Sequence, residues 1–100
     1  MAYIKNPSLL MTELRVNLDK SIRLEGVVSP ELLALETRRA EILIVLPLDL
    51  RNKVIYNFFT GGTMSAAVLG KLIGLRPNRI YQIVSSLEKK ATAYNNIHAV

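Results

Sequence analysis

The sequence predicts an all-α fold, a small bundle of about five helices containing a helix-turn-helix. Three observations lead there. Apolar residues recur every three to four positions through most of the chain, which is the spacing of one helix face. Helix-starting and helix-stopping residues separate these stretches at regular intervals. Half of the 100 residues are hydrophobic and 21% are charged, with 5 Gly and 4 Pro, a composition that supports one packed core and neither a disordered nor a fibrous chain.

The first helix spans Ser8–Ile22, with Leu9, Leu10, Leu14, Leu18 and Ile22 at helical steps and Val16 off the stripe. The alternation Leu14-Arg15-Val16-Asn17-Leu18 is also compatible with a short strand. Gly26 interrupts. Ser29-Pro30-Glu31 then supplies a cap, a proline at the first helical position and an acid in the first turn, so a second helix starts there and runs to about Val45. Its middle, Glu36-Thr37-Arg38-Arg39-Ala40-Glu41, is polar between apolar ends, which predicts a break or partial exposure. Pro47 closes it. Asp49 can cap a third helix, whose stripe is Leu50, Val54, Ile55, Phe58 and Phe59. Thr60-Gly61-Gly62-Thr63 ends that helix, and Thr63 or Ser65 can cap a short fourth one to Ile73, with Val68, Leu69, Leu72 and Ile73 inward. After Gly74, Arg76-Pro77 opens the last helix, with Ile80, Ile83, Val84 and Leu87 on its buried face. Residues 95–100 carry no period and read as a frayed tail.

Charge is distributed unevenly. Residues 1–60 hold eight Lys/Arg and seven Asp/Glu, a balance of +1, whereas residues 61–100 hold five bases and one acid, Glu88, a balance of +4. No carboxylate side chain lies between Asp49 and Glu88. Such a stretch presents a positive field that attracts a polyanion, although a basic face also serves plain solubility.

Two short helices joined by a turn of three or four residues containing Gly outline a helix-turn-helix. Gly70 is small where the two helices would touch most closely, so a larger side chain there would push them apart. Gly74 falls where the chain turns and where a β-carbon would strain a left-handed conformation. Leu69, Ile73, Leu75 and Ile80 are the apolar types that this wedge requires. The core of the motif is residues 63–91, within a single domain in which the helices of residues 8–60 support the core and supply a dimer interface. That interface is expected at the apolar ends of the second helix, Leu32, Leu33 and Leu35 and Ile42–Leu46, whose excess a two-fold contact would bury.

Within Leu69–Leu87, the residues Leu72-Ile73-Gly74-Leu75, Ile80, Gln82 and Val84 make the chain resemble bacterial helix-turn-helix regulators, above all the TrfB/KorA-type plasmid repressors. Looser similarity reaches the PapB-type fimbrial regulators and the promoter-reading region of sigma factors, through Leu46-Pro47, Arg51, Val54 and Gly61. The chain departs from the pattern at Arg76-Pro77-Asn78, where Thr or Ser often caps the recognition helix, and in having no long C-terminal dimerisation segment. The resemblance implies a cytoplasmic bacterial transcription regulator, a repressor that binds a palindromic DNA operator as a homodimer. It implies that the helix from Pro77 enters the major groove.

On that basis Arg79 suits the two acceptors of guanine, Asn78 or Gln82 suits adenine, and Tyr81 can pack on a thymine methyl or reach a phosphate. Thr63, Ser65, Lys71, Arg76, Ser85, Lys89 and Lys90 are candidates for phosphate contacts. Each candidate has a plainer reading. Arg79 and Lys89 can be ordinary solvated charges, Asn78 and Gln82 ordinary surface amides, and Tyr81 a cover for the core's edge.

Other chemistry finds no footing in the sequence. With no Cys there is no disulfide, thiolate metal site or cysteine nucleophile. The one histidine, His98, has no acid or Cys at ligand or triad spacing. Gly61-Gly62-Thr63 lacks the Gly-Lys-Ser/Thr of a phosphate loop, and Gly70-Lys71 is followed by Leu72. Glu31, Glu36 and Glu41 share a helix with Arg38 and Arg39 and read as surface ion pairs. Neither an enzyme, a cofactor, a metal nor a small-molecule effector is expected. The N-terminal residues lack a signal-peptide pattern, and the longest apolar run, Ile42–Leu48, is far short of the ~20 residues that span a bilayer. The competing functional reading is a helical adaptor or anti-activator module that docks an acidic protein partner through the same basic half.

Overall fold

The computed structural model describes residues 6–24 and 26–98, with the side chains of 92–98 left aside. Among the described residues the chain is all-helical: α1 Pro7–Arg23, α2 Pro30–Val45, α3 Leu48–Thr60, α4 Ala66–Ile73 and α5 Pro77–His98. No helix is long and apolar enough to cross a membrane among the described residues. The chain divides into two compact units, Met1–Val54 and Ile55–Val100, with α3 running across the boundary.

In the first unit α1 packs on α2. Helix α1 begins one turn-position earlier than Ser8 suggests, because the Asn6 side chain accepts from the Ser8 backbone N–H at 3.0 Å and Pro7 follows at the first helical position. The possible strand at Leu14–Leu18 is helix throughout. Its buried face is Leu10, Leu14, Asn17, Leu18 and Ser21, while Leu9 is exposed. Two polar side chains thus sit inside, where a hydrophobic stripe would have placed none.

The polar middle of α2 is partly exposed, at Glu36, Thr37, Ala40 and Glu41, as its composition predicts, and the helix is unbroken. Its polar middle turns Arg39 inward, and the guanidinium donates to Asn17 Oδ1 at 3.0 Å and to Ser21 Oγ at 2.8 Å. Asn17 Nδ2 in turn donates to the Leu35 carbonyl at 2.8 Å. Burial lowers the Arg39 pKa below the usual arginine value, opposed by the nearby Glu36 carboxylate, yet a guanidinium stays charged at any physiological pH. Arg38 lies at the edge and forms a two-pronged pair with Glu13 of α1, at 2.8 Å for Nη2 to Oε1. The hydrogen bonds to Glu13 raise its pKa further against partial desolvation. Around these groups Leu10, Leu14, Leu18, Ile42 and Leu46 are buried.

The caps of α2 follow the sequence: Ser29 Oγ accepts from Leu32 N–H at 3.2 Å, and Leu46 turns extended ahead of Pro47, which disfavours helical backbone before it. Asp49 is not the cap of α3. The Pro47 carbonyl accepts from the Leu50 and Arg51 amides, and Asp49 lies within the first turn, where a carboxylate still favours the positive end of the helix.

In the second unit the core is Met64, Ala66, Leu69 and Ile73 with Ile80, Ile83 and Val84. Ser65, not Thr63, caps α4, accepting from Val68 N–H at 3.2 Å. Val68 and Leu72, expected inward, are half-buried, and the inward face is Ala66, Leu69, Gly70 and Ile73. Helix α5 continues through residues 95–98, where a frayed tail was expected; Ala99 and Val100 lie outside the described residues. A lack of apolar period does not prevent helix, because Thr92–His98 contains neither Gly nor Pro and prolongs a helix already nucleated.

Two stability measurements test these contacts. Asn17→Ala removes the acceptor that Arg39 uses and the donor to Leu35, so urea unfolding should show a loss of ~2–3 kcal/mol, as for hydrogen bonds to a charged buried group; a change under 0.5 kcal/mol would show the network to be dispensable. Gly70→Ala places a methyl group against backbone and should cost ~1–3 kcal/mol with unchanged far-UV helicity.

Candidate nucleic-acid interface

The geometry of the candidate site is set at Gly70. A Cβ built there would lie 2.4 Å from the Leu75 carbonyl oxygen, well inside van der Waals contact, so only glycine lets the turn backbone approach α4 this closely. Four residues on, Gly74 takes a left-handed conformation, φ 88°, and both its N–H and that of Leu75 donate to the Gly70 carbonyl at 2.7 Å. The three residues Gly74-Leu75-Arg76 therefore reverse the chain within one short turn, and Pro77 starts α5 at once. Helices α4 and α5 pack on each other through Leu69, Ile73, Ile80 and Ile83, all buried.

Burying Ile80, Ile83 and Val84 fixes which side of α5 faces out. Asn78, Gln82, Ser85 and Lys89, spaced i, i+4, i+7 and i+11, form the centre of the outward stripe, and all four are exposed. Arg79 flanks the stripe on one side and donates to Gln82 Oε1 at 3.4 Å. Tyr81 flanks the other side, half exposed, its ring edge-on to Phe59 with centroids 5.5 Å apart and planes at 90°. Tyr81, Gln82, Ser85, Ser86 and Lys89 line a shallow open groove along α5. Ser86 is absent from the sequence-based candidates, although its position four residues beyond Gln82 and three before Lys89 marks it as a neighbour of both.

The phosphate-contact candidates divide. Ser85 and Lys89 lie on the α5 stripe, and Lys90 is exposed one residue further. Arg76 is exposed in the turn and Lys71 on the solvent side of α4. Ser65 is occupied as the α4 cap through its oxygen's acceptor role, and its hydroxyl hydrogen is still a donor. Thr63 sits in the preceding bend, its backbone N–H already donating to the Phe58 carbonyl at 3.3 Å. The charged side chains of residues 61–87 are Lys71, Arg76 and Arg79, so α4, the turn and the first half of α5 carry bases and no carboxylate side chain.

Among the described residues no group of three His, Cys, Asp or Glu is placed to hold a metal. The side chain of His98, which ends α5, lies outside what is described. The chain matches no protein-family model, no curated protein and no solved structure.

Tyr81 separates support from recognition. Tyr81→Phe should leave stability within about 0.5 kcal/mol of the parent, whereas Tyr81→Ala should lose ~0.5–1.5 kcal/mol of ring contact with Phe59 in addition to buried area, read by thermal or urea unfolding. Equal losses for both variants would mean that the hydroxyl, not the ring, holds the residue in place.

Proposed function

We propose that this chain is a sequence-specific double-stranded DNA-binding regulator of transcription, a cytoplasmic repressor that occupies a palindromic operator as a homodimer through a helix-turn-helix formed by α4, the turn and α5. The observation that carries this reading is the outward stripe of α5. Directly after a tight turn held by Gly70 and Gly74, it offers amide, hydroxyl and ammonium groups on one exposed face, with the Arg79 guanidinium and Tyr81 on its flanks and the first carboxylate, Glu88, reached only near Lys89. A polar, cationic helix face is what a major groove accepts, since phosphates flank it and base edges present acceptors and donors at its floor. No enzymatic step is part of this reading.

In mechanism, Asn78, Arg79 and Gln82 read base edges near the start of α5, and Tyr81 packs beside them against a thymine methyl or a phosphate. Arg79 lies within hydrogen-bond reach of Gln82 Oε1, at 3.4 Å, so the two side chains meet the same stretch of groove. Lys71, Arg76, Ser85, Lys89 and Lys90, with Ser65 and Thr63 at the start of α4, position the helix on the backbone. One such module reads only a few base pairs, so two half-sites about one helical turn apart, ~10 bp, give the necessary specificity.

Selection of duplexes from a random pool tests the proposal directly. A palindrome should be enriched, and log affinity for it should fall with log salt at a slope of about −0.9 for each phosphate neutralised. Arg79→Ala and Gln82→Ala should each weaken binding by ~1–3 kcal/mol and relax the preference at one position. Lys71→Ala should weaken all sequences alike and reduce the salt slope by about one. If no sequence is enriched and Arg79→Ala and Gln82→Ala bind as the parent does, the DNA reading falls and an acidic protein partner becomes the function to pursue.

A further inference from the structure

Of the nine large apolar side chains exposed among the described residues, eight belong to the first unit and only Tyr81 to the second. On α2 they fall into a pattern. Its inward face is Arg39, Ile42 and, at its C-terminal cap, Leu46; on the opposite side Leu33, Thr37, Ala40 and Ile44 follow one another at steps of four, three and four, all exposed. Those steps are the a and d spacing of a helix-pairing seam. The ends of the seam are large and apolar, Leu33 being 65% and Ile44 82% exposed, and its middle is small.

We propose that this seam is a self-association face, on which α2 pairs antiparallel with α2 of a second copy of the chain. The seam is self-complementary about a two-fold axis midway between Thr37 and Ala40. There Leu33 meets the partner's Ile44, Ile44 meets the partner's Leu33, and the small residues at the axis let the helices approach at the short end of the usual 8–10 Å. A parallel pair would match the apolar ends equally well but would set the two helix dipoles side by side in the same direction, which the antiparallel pair avoids. Apolar side chains of this kind each expose roughly 60–120 Å². With Thr37, Ala40 and the stems of Glu36 and Glu41, the seam then covers about 400–600 Å² per copy, below the ~800 Å² per partner of a standard interface. The area therefore fits a weak dimer that forms at high concentration and that a palindromic DNA site reinforces. Glu36 and Glu41 flank the seam, and like residues of the two copies lie about 7.5 Å apart along the axis at 1.5 Å per residue. Arg38 pairs with Glu41 at 3.5 Å on the same helix, which offsets part of the repulsion between these carboxylates. The face rests on the proposed function for its purpose, as the means of pairing two reading heads, but its geometry stands on α2 alone.

The chain has no cysteine, which makes a disulfide test clean. In the 100-residue chain, Leu33→Cys and Ile44→Cys mixed and oxidised should give a cross-linked dimer containing one of each. Either variant alone should give none, because the like positions lie about 16 Å apart along the axis, well beyond the ~7 Å that a disulfide spans between Cα atoms. Sedimentation equilibrium without DNA should show a concentration-dependent dimer. Ile44→Glu and, independently, Ala40→Lys should weaken it by at least about tenfold, with far-UV helicity unchanged since both sites are exposed. Cross-links formed by Leu33→Cys alone, a monomer at every concentration, or undiminished association of both charged variants would overturn the proposal. Association measured without DNA keeps this outcome separate from the DNA reading. A dimer that enriches no DNA sequence defeats that reading and leaves the seam, whereas a monomer that still selects half-sites defeats the seam and leaves the reading.

Discussion

The approach of the Leu75 carbonyl to Gly70 is the contact on which the candidate site depends. Any β-carbon at position 70 would stand 2.4 Å from that oxygen, so with another residue the turn would have to move outward and carry the start of α5 with it. Because α5 starts at Pro77, immediately after the turn, a shift there would alter which residues of the helix reach the core and which reach solvent. Ile80, Ile83 and Val84 then hold the chosen rotation by burial, and the stripe Asn78, Gln82, Ser85 and Lys89 is exposed as their geometric complement. A backbone contact thus fixes the presentation of side chains several residues away.

A different kind of constraint holds the first unit. Its α1 and α2 meet across a mainly aliphatic core, and into that core the sequence inserts Arg39, Asn17 and Ser21. Burying a guanidinium is unfavourable unless its donors are met, and Asn17 and Ser21 meet them from the opposite helix. The Asn17 amide also reaches the Leu35 carbonyl, which ties one side chain to two points of α2 and defines the register of the pair. Aliphatic side chains alone tolerate sliding by repacking, whereas a sliding motion here would leave a buried charge unsatisfied. The Arg38 to Glu13 pair at the rim adds direction but is open to solvent, so water and salt screen it.

Some of this was readable residue by residue. Ser29-Pro30-Glu31, Ser65, Gly74 and Arg76-Pro77 announce helix ends through local backbone chemistry that needs no tertiary partner, and the structure places ends at each of them. The proximity of Gly70 to the turn follows from its spacing to Gly74. The inward side of α5 follows from period alone. Other features were not legible for equally physical reasons. Asn17, Ser21 and Arg39 look like surface residues, because hydrophobic patterning has no means of recognising polar groups that satisfy one another across two helices. Leu9 looks buried because it matches the stripe, yet it is exposed. Asp49 resembles a cap, but the Pro47 carbonyl begins the hydrogen-bonding two residues sooner. Ser86, by contrast, was legible from its spacing to Gln82 and Lys89, and the groove along α5 places it with them.

By itself, then, the sequence determined the helical class, the order of the elements and the cationic character of residues 61–87, since these depend on nearest neighbours along the chain and on simple charge count. Only the tertiary structure decided which polar residues lie inside, how closely the turn approaches α4, and which apolar side chains of α2 remain uncovered. Each of those depends on groups distant in sequence meeting in space, and burial or exposure is a property of the meeting, not of the residue.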